Sequence, residues 1–249
     1  MRRSSLIAGV ALVAACHHGP RVVPAPDPVA ELAQARAQFR RGDFGKALVT
    51  YRRLTYEVGA TQPEMAEVRY YLAECYFQTG DRVQAAHEFR QVADQYATSQ
   101  YAPMALLRSG DANLRLWRKP ELDPSYGETA LAIYQELAGR YPGTDAAARA
   151  QMHVQQLREW FSQKDYKNGM FYFRRRAYDS AIIYFKDVIA TYPGTSRVPD
   201  ALMRLVDSYR VIGYGDELKE TCGHLRRYFP QTEGLDKSCP ADSSTATPS

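Results

Sequence analysis

The sequence predicts an all-α protein, a solenoid of about five stacked helix pairs, on three observations. A unit with two apolar helix faces and a proline stop recurs along the chain. No run of alternating polar and apolar residues carries the Asn-Gly or Asp-Gly turns that mark hairpins. Each copy of the unit is too apolar to stand alone and needs neighbours stacked on it to bury both faces.

The clearest copy runs from Lys164 to Thr195. In its first half Tyr166, Gly169, Met170, Tyr172 and Phe173 mark one apolar face, with glycine where two helix axes approach closely. Arg174, Arg175 and Arg176 form a polar corner. From Tyr178 to Thr191 a second helix places Ala181, Ile182, Phe185, Val188 and Ile189 on one stripe at three- and four-residue steps. Tyr192-Pro193-Gly194-Thr195 ends it, because proline cannot continue the ladder and pushes the residue before it out of helical angles.

Four further copies fit the same frame. The first uses Ala35, Gly42, Asp43, Phe44, Ala47, Tyr51 and Leu54; the second Ala73, Tyr76, Gly80, Asp81, Ala85, Phe89, Val92 and Tyr96. The third uses Gly110, Ala130, Tyr134, Leu137, Tyr141 and Pro142, and the fifth Tyr209, Gly213, Leu218, Cys222, Leu225, Phe229 and Pro230. The pattern resembles a tetratricopeptide repeat (TPR), which implies a right-handed solenoid. The units are expected at about 29–58, 66–97, 101–142, 145–193 and 197–230, inside a repeat domain spanning 29–234. The second-helix markers Ala47, Ala85, Ala130, Ala181 and Leu218 are 38, 45, 51 and 37 residues apart. All four spacings exceed the family's ~34, so the array is irregular.

Two irregularities are specific. Pro120, Asp123 and Pro124 make residues 118–124 a loop inside the third unit. From Asp145 to about Arg175 there is no proline and one glycine, which predicts a single helix about 45 Å long. On it, Met152, Leu157, Trp160 and Phe161 are expected to pack against the preceding pair.

Residues 1–15 read as a signal peptide: Met1-Arg2-Arg3 is basic, and Leu6 to Ala15 is apolar but too short to span a bilayer permanently. Val13-Ala14-Ala15-Cys16 resembles the lipobox of bacterial lipoproteins, which implies a diacylglyceryl thioether and an N-acyl chain on Cys16. An ordinary secretory signal with a cysteine nearby is the alternative. Two or more chains anchor a protein stably where one does not. His17 in place of aspartate implies, by the same resemblance, sorting to the outer membrane. Pro20, Pro24, Pro26 and Pro28 make residues 16–28 an extended tether. Hydrophobic periodicity stops near Glu233, so residues 235–249 read as a disordered tail.

Several function classes are disfavoured. The net charge is +4, and two of those charges are Arg2 and Arg3, too little for a nucleic-acid binder. His17, His18, His87, His153 and His224 lack partners at ligand spacing, and no nucleophile elbow, zinc-protease or phosphate-loop motif is present. Asp111, Asp165 and Asp207 read as single solvated carboxylates. No catalytic residue, metal or cofactor is therefore expected beyond the lipid on Cys16. With Cys16 modified, Cys75, Cys222 and Cys239 are odd in number. They read as buried or unpaired thiols, with a Cys222–Cys239 bridge as the alternative.

Binding is the expected activity. First helices of such pairs line the concave surface, where Arg36, Phe39 and Arg40, then Tyr70, Glu74 and Phe77, then Asp111, Leu114 and Arg115 would form a peptide groove. Arginine grips a carboxylate in a fork while a ring takes an apolar anchor. The alternative places Phe39, Tyr70 and Phe77 in the interhelix core.

The ordered set of lipobox, proline spacer, interrupted third unit and long fourth helix resembles the BamD (YfiO) family, TPR lipoproteins of the outer-membrane β-barrel assembly machinery. Asp123-Pro124, Thr129-Ala130, Tyr141-Pro142-Gly143-Thr144 and the block from Phe171 to Ala181 carry the likeness. It implies a non-enzymatic periplasmic scaffold, lipid-anchored to the outer membrane. Its C-terminal repeats would dock a POTRA domain of BamA, with other lipoproteins of the complex as further partners. Its N-terminal repeats would receive the C-terminal segment of unfolded β-barrel proteins, in the groove of Arg36, Phe39, Arg40, Tyr70, Phe77 and Arg115. Arg174, Arg175, Arg176 and Tyr184 are the candidate BamA-docking residues, Tyr184 standing where the family usually has arginine. Another periplasmic TPR protein of the CpoB type, or a type IV pilus biogenesis lipoprotein, is the alternative.

Overall fold

The structure, a computed structural model, describes residues 27–58, 63–118 and 123–239. Residues 1–26, with the expected signal peptide, Cys16 and most of the expected tether, and residues 240–249 lie outside the described residues. Ten helices follow as five pairs: α1 (Pro28–Arg40) with α2 (Phe44–Glu57), α3 (Pro63–Thr79) with α4 (Arg82–Gln95), and α5 (Ala102–Leu116) with α6 (Ser125–Arg140). The 30-residue α7 (Asp145–Arg174) pairs with α8 (Tyr178–Thr191), and α9 (Val198–Ile212) with α10 (Gly215–Tyr228); a one-turn α11 (Leu235–Ser238) closes the chain. No strand occurs among the described residues.

From α1 to α10 each helix packs on the next in sequence, and α11 packs on α9. In addition α3 touches α5, α5 touches α7 and α7 touches α9, while the second helices stand further apart. The first helices therefore line the inner side of the curve.

The Tyr-Pro-Gly-Thr segments are the hinges between units. Tyr192 caps α8, Gly194 turns at φ 83°, an angle that favours glycine, and the Thr195 hydroxyl donates to the Tyr192 carbonyl at 2.8 Å. Thr195 is buried and shares a hydrogen bond with Ser162 in the middle of α7, which fixes the hinge to the preceding helix. In the equivalent turn Thr144 caps α7 by accepting from the Ala147 N–H at 3.1 Å.

One contact repeats through the core: a small residue on the first helix beneath an aromatic ring on the second. A Cβ on Gly169 would lie 2.6 Å from the Phe185 ring, and one on Gly110 2.5 Å from Tyr134. Ala35 shares a core cluster with Tyr51, and Ala73 with Phe89. All four rings are fully buried. The fifth unit differs, with Val206 and Cys222 in these places.

Three expectations are corrected. Residues 235–239 are not a disordered tail, and Cys222 and Cys239 are not free thiols. The two cysteines form a disulfide, and Leu235 packs with Val198, Leu202, Val206 and Leu225. The segment has no hydrophobic period of its own; a covalent bond holds it. Met152 is 70% exposed rather than packed on the preceding pair. It lies off the stripe of Ala146, Ala150, Leu157 and Phe161 that does pack there, with Trp160 partly buried beside it. Cys75 is buried and unpaired. No described helix is long and apolar enough to cross a membrane.

Candidate peptide-binding groove and docking face

Arg36, Phe39 and Arg40 lie one helical turn apart on α1, so one face carries all three. With Phe44 from α2 and Glu67, Tyr71 and Gln78 from α3 they line a cavity of about 500 Å³, into which Tyr51 also projects. Its wall is aromatic: Tyr71 meets Phe39 edge-on at 4.9 Å and stacks on Tyr51 at 5.8 Å, and Phe39 meets Phe44 at 5.3 Å. Such rings offer apolar area with little side-chain freedom to lose.

The charges at this cavity are not equivalent. Arg36 donates through Nε and Nη2 to both oxygens of Glu67, at 2.6 and 2.7 Å, so its fork is filled from within the chain. That pairing raises the pKa of the guanidinium. Arg40 is exposed and has no side-chain partner among the described residues. Tyr51 is fully buried, yet its hydroxyl has no hydrogen-bond partner among them. Burial pushes its pKa up, so the group stays a neutral O–H, and leaving it unmatched is costly.

The structure separates the remaining candidates from this cavity. Tyr70 is half-buried among Tyr71, Phe89 and Tyr101, and its hydroxyl donates to Glu74. Phe77 belongs to the interhelix core, with the guanidiniums of Arg82 and Arg108 at 4.2 and 3.9 Å from its ring centroid. Arg115 is exposed on α5, outside the cavity lining.

A second polar centre was not anticipated from the sequence. Arg108 on α5 donates to both Glu74 oxygens, at 2.7 and 2.9 Å, and to Asp111 at 3.1 Å. Asp111 in turn accepts from the Tyr134 hydroxyl at 2.8 Å, with His153 at 3.9 Å. Asp111 is thus a part-buried member of a network joining α3, α5, α6 and α7, not a solvated carboxylate. Asp207 likewise pairs with Arg204 and Arg210, and burial raises the pKa of Asp165. The only signal in the sequence was the three-residue spacing of Arg108 and Asp111.

At the other end Arg174, Arg175 and Arg176 are all exposed in the α7–α8 turn. The Arg175 guanidinium lies 3.7 Å over the ring of Phe171, itself 48% exposed. Tyr184 stacks on Tyr172 at 5.4 Å. Arg176 has φ 61°, and the same turn in the first, second and fifth units holds Gly42, Gly80 and Gly213. A long side chain kept in a left-handed conformation costs energy that glycine would not. Among the described residues no three His, Cys, Asp or Glu side chains are grouped as a metal site requires.

Stacked helix pairs, four of the five closing a ring over a small residue and all lining an inner groove with their first helices, define a tetratricopeptide-repeat protein. Within that class the chain belongs to the YfiO family of outer membrane lipoproteins, whose model matches residues 30–225. It is 24% identical over 230 residues to the outer membrane protein assembly factor BamD of Vibrio cholerae, covering 88% of this chain and 94% of that one. It is 33% identical over 108 residues to the protein of that name from Caulobacter vibrioides, covering 43% of this chain. The matched stretches span 35% of the Caulobacter vibrioides protein and 40% of the Rickettsia prowazekii one. Among solved structures it is similar to a thermophilic TPR protein of Thermus thermophilus, at TM-score 0.41 and 18% identity over 85% of this chain and 96% of that one. MamA of Desulfovibrio magneticus is similar at TM-score 0.38 and 15% identity, over 86% and 97%.

Proposed function

We propose that the chain is an outer-membrane protein assembly factor, a non-catalytic scaffold held at the periplasmic face of the outer membrane by lipid on Cys16. Its first two units receive the C-terminal segment of unfolded β-barrel proteins, and its fourth and fifth dock a POTRA domain of BamA. The family supports this reading, as do relatives named outer membrane protein assembly factor BamD. The observation that carries it is the aromatic cavity of units one and two, with an unmatched buried hydroxyl inside and an unpaired arginine at its edge.

In this reading a terminal ring enters between Phe39, Phe44 and Tyr71. The free carboxylate goes to Arg40, because Glu67 already occupies Arg36. For docking, the Arg174–Arg176 corner suits an acidic surface, with Phe171, Tyr172 and Tyr184 supplying apolar contact. Other lipoproteins of the same machinery are further partners.

Titration of a C-terminal β-barrel peptide tests the groove. Arg40→Glu should weaken binding by about 1–3 kcal/mol, the loss of a charge-assisted bond. Glu67→Gln, which frees Arg36, should strengthen it. Wild-type affinity in both variants would remove the groove from the mechanism.

A further inference from the structure

We propose that Cys222 and Cys239 are an oxidative modification site, at which a disulfide-bearing oxidant closes the last unit of the solenoid. The bond takes over the role that an aromatic ring has in the other four units. Tyr51, Phe89, Tyr134 and Phe185 each lie four residues after a buried alanine, Ala47, Ala85, Ala130 and Ala181, and all four rings are fully buried. Cys222 has the same register, four residues after Leu218, and its side chain is far smaller than a ring. The Cys239 sulfur and the Leu235 side chain fill the remaining space against Val198, Leu202, Val206 and Leu225.

Among the described residues, only the Leu235 side chain and two polar ties hold that segment besides the bond. A helix of four residues is not stable by itself. Its polar ties are Arg210 donating to the Ser238 carbonyl and Arg226 donating to the Cys239 carbonyl, both from side chains that reach toward solvent. Terminal repeats of a solenoid need a cap because no neighbour covers their outer face. Without the bond α11 leaves, and the apolar end of α9 and α10 meets water.

The chemistry is thiol–disulfide exchange with a protein or small-molecule disulfide. One of the two thiolates, taken here as Cys222, attacks a sulfur of the oxidant, breaking its S–S bond and releasing one oxidant thiolate. The Cys239 thiolate then attacks the Cys222 sulfur of the mixed disulfide and expels the second. Two protein thiols are oxidised and the oxidant's disulfide is reduced to two thiols, its two expelled thiolates taking up the two protons that the protein thiols give up. Cys75 stays out of the exchange: it is fully buried, and burial pushes its thiol pKa up to about 12, so almost no thiolate is present. Cys222 and Cys239 are themselves 4% and 1% exposed once paired, so exchange precedes closure and the closed bond is shielded from reductants.

This inference is independent of the assembly function and is tested without a partner. The full chain is prepared oxidised, refolded in dithiothreitol, and as Cys239→Ser, and each form is digested briefly with trypsin. Cleavage after Arg226, Arg227 and Lys237 should be at least about tenfold faster in the two forms lacking the bond. Cleavage within α1 to α8 should be unchanged, which shows that the rest is folded. Equal rates at the three C-terminal sites would overturn the proposal. So would alkylation of both cysteines in chain that had been incubated with oxidised glutathione before denaturation.

Discussion

Arg176 shows how much one residue can reveal. Its φ of 61° lies in the left-handed region where glycine serves in three of the other units, and the chain keeps a charged side chain there. Arg176→Gly should therefore stabilise the fold by about 1–2 kcal/mol, the cost of a left-handed non-glycine residue, while weakening docking on an acidic partner. Denaturant titration checks the first part, and an unchanged or lowered midpoint would contradict it. The same position was legible in the sequence only as one of three arginines in a corner; its strain needed coordinates. Gly169 was legible as a point of close approach, because helical periodicity sets it opposite Phe185. The Arg36–Glu67 pair was not, since its partners are 31 residues apart in different units and no local pattern joins them. The lone hydroxyl of Tyr51 was equally hidden, because the ring looks like any other member of the repeated stripe.

At the scale of elements, ten helices could be read from three- and four-residue steps and from the Tyr-Pro-Gly-Thr stops, and the interrupted third unit from Pro120 and Pro124. α11 could not, because one helical turn has no period to read and its anchor lies in another helix. The network between elements escaped for a related reason: Glu74 and Arg108 are ordinary surface residue types until stacking buries them. Glu74 is 7% exposed and holds Arg108 from two sides. Glu74→Ala should destabilise the protein by about 2–3 kcal/mol, because Arg108 keeps only Asp111 as an ion-pair partner in a part-buried site and the Tyr70 hydroxyl loses its acceptor. A change in unfolding free energy below about 1 kcal/mol, the worth of a surface pair, would show that α3 and α5 do not depend on this contact.

The whole molecule has two unlike ends. The first two units hold an aromatic cavity with an unmatched hydroxyl, and the last is sealed by a disulfide where the others use a ring. A loop of that size is restrained in the unfolded chain by about 3 kcal/mol, so the clasp stabilises the last described unit. Between the ends, the exposed arginine corner of α7 and α8 offers a partner a charged surface set apart from the groove. The proposed scaffold, receiving one protein in its first units and leaning on another with its later ones, would use these two separate places. Recovery of the full-length, lipidated chain from detergent-solubilised envelope tests it most directly. A β-barrel protein carrying POTRA domains should co-purify with the wild type and be largely lost when Arg174, Arg175 and Arg176 are all replaced by glutamate. Absence of any such protein, or undiminished recovery with the three glutamates, would contradict the account.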